Sequence, residues 1–168
     1  LVPRLRESGL PAQTLAILQT LADSGDAQTL DALGVSLAET GRLAEARAAF
    51  LRALQLDAGN EDVLSHLGTL ALREKDPAGA REWFEKALQK NPSLPGTLTS
   101  LGTALVQLGD DQKAAEAWTR ALALDPRQYA ALFNLAILSG RRRAYGQARQ
   151  YLEQFLAQAP TASYTAEI

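Results

Sequence analysis

Few residues of this chain could do covalent chemistry. His66 is the only histidine, and there is no cysteine. Without a thiol, disulfides, thiolate catalysis and cysteine-ligated metals are excluded. A catalytic His66 would need a nucleophile or a carboxylate partner inside a closed pocket. The sequence suggests none, and His66 reads as a partly exposed helix residue. Carboxylates stand in adjacent pairs at Glu61-Asp62 and Asp110-Asp111. Both pairs fall at helix starts, where negative charge stabilises the positive end of the helix dipole, so they imply no metal. The one basic run is Arg141-Arg142-Arg143, followed by Arg149 and opposed only by Glu153. Residues 129–160 therefore carry a net +3, whereas 27–60, 61–94 and 95–128 each carry −1. Two readings of that run stay open. An acidic partner or a phosphate docks there, or the arginines form a solvated turn whose cations favour the C-terminal end of a helix. No residue is assigned a catalytic, metal-binding or cofactor-binding role, and the chain is read as a non-enzyme.

The elements that position these residues follow from the apolar spacing. Leu98, Leu101, Leu105 and Leu108 recur at three- and four-residue steps and make one helix face. Gly109-Asp110-Asp111 breaks the pattern as a helix C-cap followed by an acidic helix start. Ala114, Ala117, Trp118, Ala121 and Leu122 form a second face, which Asp125-Pro126 ends because proline cannot continue a helix. The same arrangement recurs every 34 residues. Leu64, Leu67, Gly68, Ala80, Phe84, Ala87 and Pro92 precede it by one period. Leu30, Leu33, Gly34, Ala46, Phe50, Ala53 and Ala58 precede it by two. Leu132, Leu135, Ala136, Ala148, Leu152, Phe155 and Pro160 follow it by one. A helix-turn-helix unit with a fixed period of this length is the signature of a solenoid, in which each pair buries its faces on its neighbours.

These residues resemble the tetratricopeptide repeat (TPR) family, whose pattern is W-x2-L-G-x2-Y, then A-x3-F, then P. The match runs from Ala27 to Pro160. The family tryptophan is replaced by Leu30, Leu64, Leu98 and Leu132, and its tyrosine slot holds Leu37, Ala71, Leu105 and Ser139. The resemblance implies an all-α fold, a right-handed α-solenoid of antiparallel helix pairs. It is read as one domain over 1–168, with full repeats at 27–60, 61–94, 95–128 and 129–160. Residues 1–26 are expected to form a partial repeat with a capping helix from about Pro11 to Asp23, and 161–168 to start a further helix, with Tyr164 and Ile168 on one face. In the fourth repeat the long turn from Ser139 to Gly146 leads us to expect a splayed pair, or a first helix that ends early near Gly140.

The resemblance also implies a protein-binding scaffold whose first helices line a concave groove. Carried onto this chain, the groove positions are Asp31, Val35 and Glu39; Ser65, Thr69 and Arg73; Thr99, Thr103 and Val106; and Phe133, Ile137 and Arg141. A peptide segment or a partner helix would fit such a groove. Some family members clamp a chaperone's C-terminal carboxylate with Lys, Asn and Arg. The matching places here are Asp31, Val35, His66, Gly96 and Ser100, or one repeat later Ser65, Thr69, Ser100, Ala130 and Asn134. Neither set carries the needed charge, so no such clamp is expected.

Composition sets the remaining bounds. The chain has 168 residues, 46% hydrophobic and 21% charged, which suits an ordinary globular domain. It has no apolar run of about 18 residues and no N-terminal stretch of signal-peptide type. Its net charge of −2 argues against a general nucleic-acid or acidic-membrane binder. The expected partner is a protein or peptide, with no nucleic acid, no membrane and no cofactor; self-association through terminal helices is also considered. Cytoplasmic and periplasmic locations are both compatible. The chain begins at Leu1 without methionine and reads as a fragment of something longer. Its alanine- and leucine-rich helices and C-terminal FLAQAPTASYTAEI also resemble TPR tails attached to bacterial enzymes, sulfatase-like hydrolases among them. That resemblance implies an accessory module used for docking or self-association.

The repeat register predicts that Trp118→Ala costs about 3–5 kcal/mol, the range for emptying a large aromatic core site. An unchanged melting temperature would count against the register.

Overall fold

Helix ends are written in the side chains that flank them. Asp26, Asn60, Asp76 and Asp110 each accept a backbone N–H three residues on, from Thr29, Val63, Gly79 and Lys113. Each satisfies one of the orphan donors of a first turn. Pro77 and Pro95 stand in first turns, where a missing N–H costs nothing. Asp26 is held below its ordinary carboxylate range, first by the Thr29 hydroxyl and then by the Thr29 N–H.

The computed structural model describes Thr20 and residues 25–158. The expected capping helix and the Tyr164–Ile168 face lie outside the described residues. Among those described there are eight helices and no strand: α1 (Ala27–Glu39), α2 (Leu43–Leu56), α3 (Glu61–Arg73), α4 (Pro77–Lys90), α5 (Pro95–Gln107), α6 (Asp111–Leu124), α7 (Tyr129–Arg141) and α8 (Tyr145–Gln158). Every odd helix starts 34 residues after the previous odd one, and every even helix likewise. The chain gathers into two compact units, Leu1–Asn91 and Pro92–Ile168.

In the first unit α1 packs on α2, α3 on α4, and α2 on α3. Its core is Leu30, Leu33, Leu37, Ala46, Ala49, Phe50, Ala53, Val63, Leu67 and Leu70. Two bare backbone positions shape it. A Cβ built on Gly34 would lie 2.5 Å from Phe50 Cε1, and one on Gly68 2.5 Å from Phe84 Cδ1. Each ring rests on main chain that only glycine exposes, and both rings are fully buried. Glycine inside a helix costs about 1 kcal/mol relative to alanine. The contact it permits outweighs this, since a buried Phe is worth about 3–5 kcal/mol against its removal.

The second unit repeats the device with a change of atom. A Cβ on Gly102 would lie 2.6 Å from Trp118 Cδ1. The indole N–H, buried with its ring, donates to the Thr99 carbonyl at 2.9 Å. That bond removes the penalty of an unpaired buried donor. In the last pair Ala136 takes the glycine slot, and the aromatic slot holds the smaller Leu152. Phe155, in a slot that is alanine in the other repeats, packs edge-on to Tyr129 (6.4 Å between centroids) and against Phe133 (6.0 Å). The extra ring volume is thus met by aromatic partners on α7.

All four inner turns share one backbone solution. The residue after the helix C-cap has positive φ at Gly41 (79°), Lys75 (62°), Gly109 (82°) and Arg143 (60°). Each donates its N–H three residues back, to Ala38, Leu72, Val106 and Gly140. The next N–H reaches five residues back, to Leu37, Ala71, Leu105 and Ser139, which closes a Schellman motif. This corrects the expectation for the fourth repeat. α7 does not end early near Gly140; it runs to Arg141 with the same 13 residues as the other first helices. The turn needs its left-handed residue at position 143, and Arg143 adopts that conformation although it is not glycine.

A left-handed non-glycine residue costs roughly 1–2 kcal/mol, and glycine gives back about half of that through the unfolded chain. Lys75→Gly and Arg143→Gly are each expected to raise stability by about 0.5–1 kcal/mol, read as a higher urea midpoint. Unchanged or lower midpoints would contradict the turn geometry.

Candidate functional site

In the first unit the exposed sides of α1 and α3 meet around an open apolar cavity of about 190 Å³. Val35, Ala38, Phe50 and Leu70 form its walls, and Glu39, His66, Thr69 and Arg73 its polar rim. The structure therefore brings together four of the groove positions read from the sequence, Val35, Glu39, Thr69 and Arg73. Two cross-repeat contacts, both 35 residues apart, hold this face. His66 Nδ1 lies 2.7 Å from Asp31 Oδ1, and the Arg73 guanidinium donates to the Ala38 carbonyl at 2.7 Å. The His66 ring also stacks on Phe50 at 5.6 Å. Asp31 is thus committed to His66, and the Ser65 hydroxyl donates back to Glu61 within its own helix. Thr69 is exposed, its hydroxyl donating to the Ser65 carbonyl.

The Asp31–His66 pair is an oriented imidazole, two members of the arrangement that activates a serine. The neighbouring hydroxyls, Ser65 and Thr69, are turned to helix carbonyls. Among the described residues no group of three metal-ligating side chains gathers. Likewise, no helix among them is long and apolar enough to cross a membrane.

The second unit places its groove positions differently. Thr99 is buried: its hydroxyl donates to the Pro95 carbonyl at 2.9 Å, with the Gln128 amide oxygen at 3.2 Å. Its carbonyl is the acceptor of the Trp118 N–H. Thr103, whose hydroxyl donates to Thr99, and Val106 are half-buried. On α7, Phe133 and Ile137 are 46% and 48% exposed, one helical turn apart, and Arg141 follows after a further turn. Arg141 reaches Asp111 at 3.5 Å.

Sequence reasoning missed the Asp31–His66 and Ala38–Arg73 contacts. Their signal is the 35-residue separation, one period plus one, which is where first helices of successive repeats face each other.

Family models and solved structures agree on the architecture. The tetratricopeptide repeat model matches residues 2–61, 32–95 and 99–163. Solved structures with this fold include PilF of Pseudomonas aeruginosa, 23% identical over 95% of this chain and 74% of that one, TM-score 0.86. MamA of Desulfovibrio magneticus RS-1 is 22% identical over 94% and 90%, TM-score 0.80. YrrB, described as a TPR protein with an unusual peptide-binding site, is 20% identical over 95% and 84%, TM-score 0.71. No curated protein matches the sequence. With the 34-residue period, the glycine–aromatic contacts and the family model covering most of its length, the chain belongs to the tetratricopeptide-repeat family, an α-solenoid fold of paired helices.

Proposed function

We propose that the protein is a non-catalytic scaffold that binds a peptide segment of a partner protein, and that the α1–α3 face supplies an anchor point. The cavity beside Phe50 carries this reading. At about 190 Å³ it is smaller than the roughly 300–1,000 Å³ typical of small-molecule sites, and it is open. It suits one bulky apolar side chain of an extended segment or a helix. The rim supports orientation as well as capture. Glu39 and Arg73 bring opposite charges to the rim, and His66, fixed by Asp31, adds a polar ring to it. The family fold and a structural neighbour described by its peptide-binding site support the same class of function. In this reading Thr69 in the first unit, and Thr103, Phe133 and Ile137 in the second, are the residues that meet a partner.

A phage-displayed random peptide library selected on the full chain tests this. Enriched peptides are expected to share a bulky apolar residue. Thr69→Arg, which fills the rim while leaving circular dichroism unchanged, is expected to weaken them about tenfold or more in fluorescence anisotropy. No enrichment, or affinities indifferent to Thr69→Arg, would contradict the reading.

A further inference from the structure

A surface of the second unit, whose reading rests on the scaffold function proposed above, lies along α7 and the turn that follows it. Phe133 and Ile137 leave about half of two large apolar side chains in solvent on one helix face. The stripe runs on to Arg141 and ends at the turn carrying Arg142 and Arg143, all three exposed. The charges of this unit do not cancel locally. Each of its carboxylates among the described residues already has a partner. Asp110 holds Lys113, and Asp111 holds Arg141. Glu116 accepts from Gln112. Asp125 accepts from Arg127 and Gln128, and Glu153 from Arg149. Among the described residues Arg142 and Arg143 pair with no carboxylate. Arg143, moreover, keeps a long cationic side chain at a left-handed position where two of the other three repeats use glycine. Lys75 takes the same conformation in the second repeat, so the conformation alone marks no role; two exposed arginines with no carboxylate partner among the described residues, beside an apolar stripe, point to one.

We propose that this surface binds an acidic polypeptide segment carrying bulky apolar residues. Its apolar side chains pack on Phe133 and Ile137, and its carboxylates meet Arg142 and Arg143, beyond the Arg141–Asp111 pair. The chemistry selects the partner. The apolar stripe has nothing to offer a free phosphate or a sugar-phosphate backbone, whereas an acidic amphipathic segment satisfies both halves at once. The arginines lie at the end of the stripe, so the partner's acidic run must adjoin its apolar residues rather than alternate with them.

The test uses the full chain and a fluorescein-labelled synthetic peptide with two leucines one helical turn apart followed by four glutamates. Binding is read by anisotropy at low and moderate salt. The expected result is saturable binding that weakens with salt, at least tenfold tighter than a peptide with lysines for the glutamates. Removing an exposed charge pair is expected to cost about threefold per arginine in Arg142→Gln and Arg143→Gln. Ile137→Ser is expected to weaken binding while leaving the salt dependence intact. Arg143→Gly separates this role from a structural one: it is expected to raise the urea midpoint and yet weaken the peptide. The proposal is overturned by lack of binding, or by equal binding of the lysine peptide. It is also overturned if Arg143→Gly binds as tightly as wild type, or if an all-glutamate peptide or inorganic polyphosphate binds equally well, which would make the turn a plain anion site.

Discussion

An aromatic ring resting on bare helical backbone is the contact on which the rest of this structure depends. Phe50 over Gly34, Phe84 over Gly68 and Trp118 over Gly102 close three helix pairs to a spacing that no Cβ would allow. The contact is the same in these three pairs, while helix lengths, turn geometry and the 34-residue offset are shared by all four. The paired alanines Ala46 and Ala53, Ala80 and Ala87, Ala114 and Ala121 are fully buried on the facing helices and serve the same close approach. The last pair departs in a coordinated way. A methyl group returns at Ala136, the ring shrinks to Leu152, and the missing aromatic volume reappears at Phe155 against Tyr129 and Phe133.

Much of this was legible in the sequence because it is local and periodic. The apolar helix faces, the Gly109 C-cap and the Asp110-Asp111 helix start each depend on a few neighbouring positions, and the 34-residue repetition reinforces the pattern. What was not legible depends on distance in the chain or on an atom's direction. Thr99 has the spacing of a groove residue, yet Trp118 and Gln128 converge on it from the side and bury it. Asp31 and Arg73 have the residue types of free ligand contacts, but each is engaged by a residue 35 positions away. The fourth turn looks irregular as a string, with three arginines and two glycines. Its geometry is regular because the required conformation belongs to a position rather than to a residue type, and Arg143 takes it.

The scaffold's regularity leaves some side chains of the first helices outside the contacts that close each pair. Closing each pair uses one face of each first helix; the other face carries cross-repeat contacts such as Asp31–His66 and Arg73–Ala38 and also leaves some side chains exposed. In the first unit that face has become a small cavity with a charged rim. In the second it has become an apolar stripe running into cations. Both depart from the polar, mixed surface expected of a helix that merely faces water.

A double-mutant cycle at Gly68 and Phe84, followed by urea unfolding, tests the central contact most directly. In the wild-type background Gly68→Ala should destabilise by about 1–3 kcal/mol, since the new methyl group overlaps the Phe84 ring. In a Phe84→Leu background, which copies the Ala136 and Leu152 combination, the same substitution should instead stabilise by up to about 1 kcal/mol, the helix preference of alanine over glycine. Additive effects of the two substitutions would contradict the account, because they would mean that the glycine is not there for the ring.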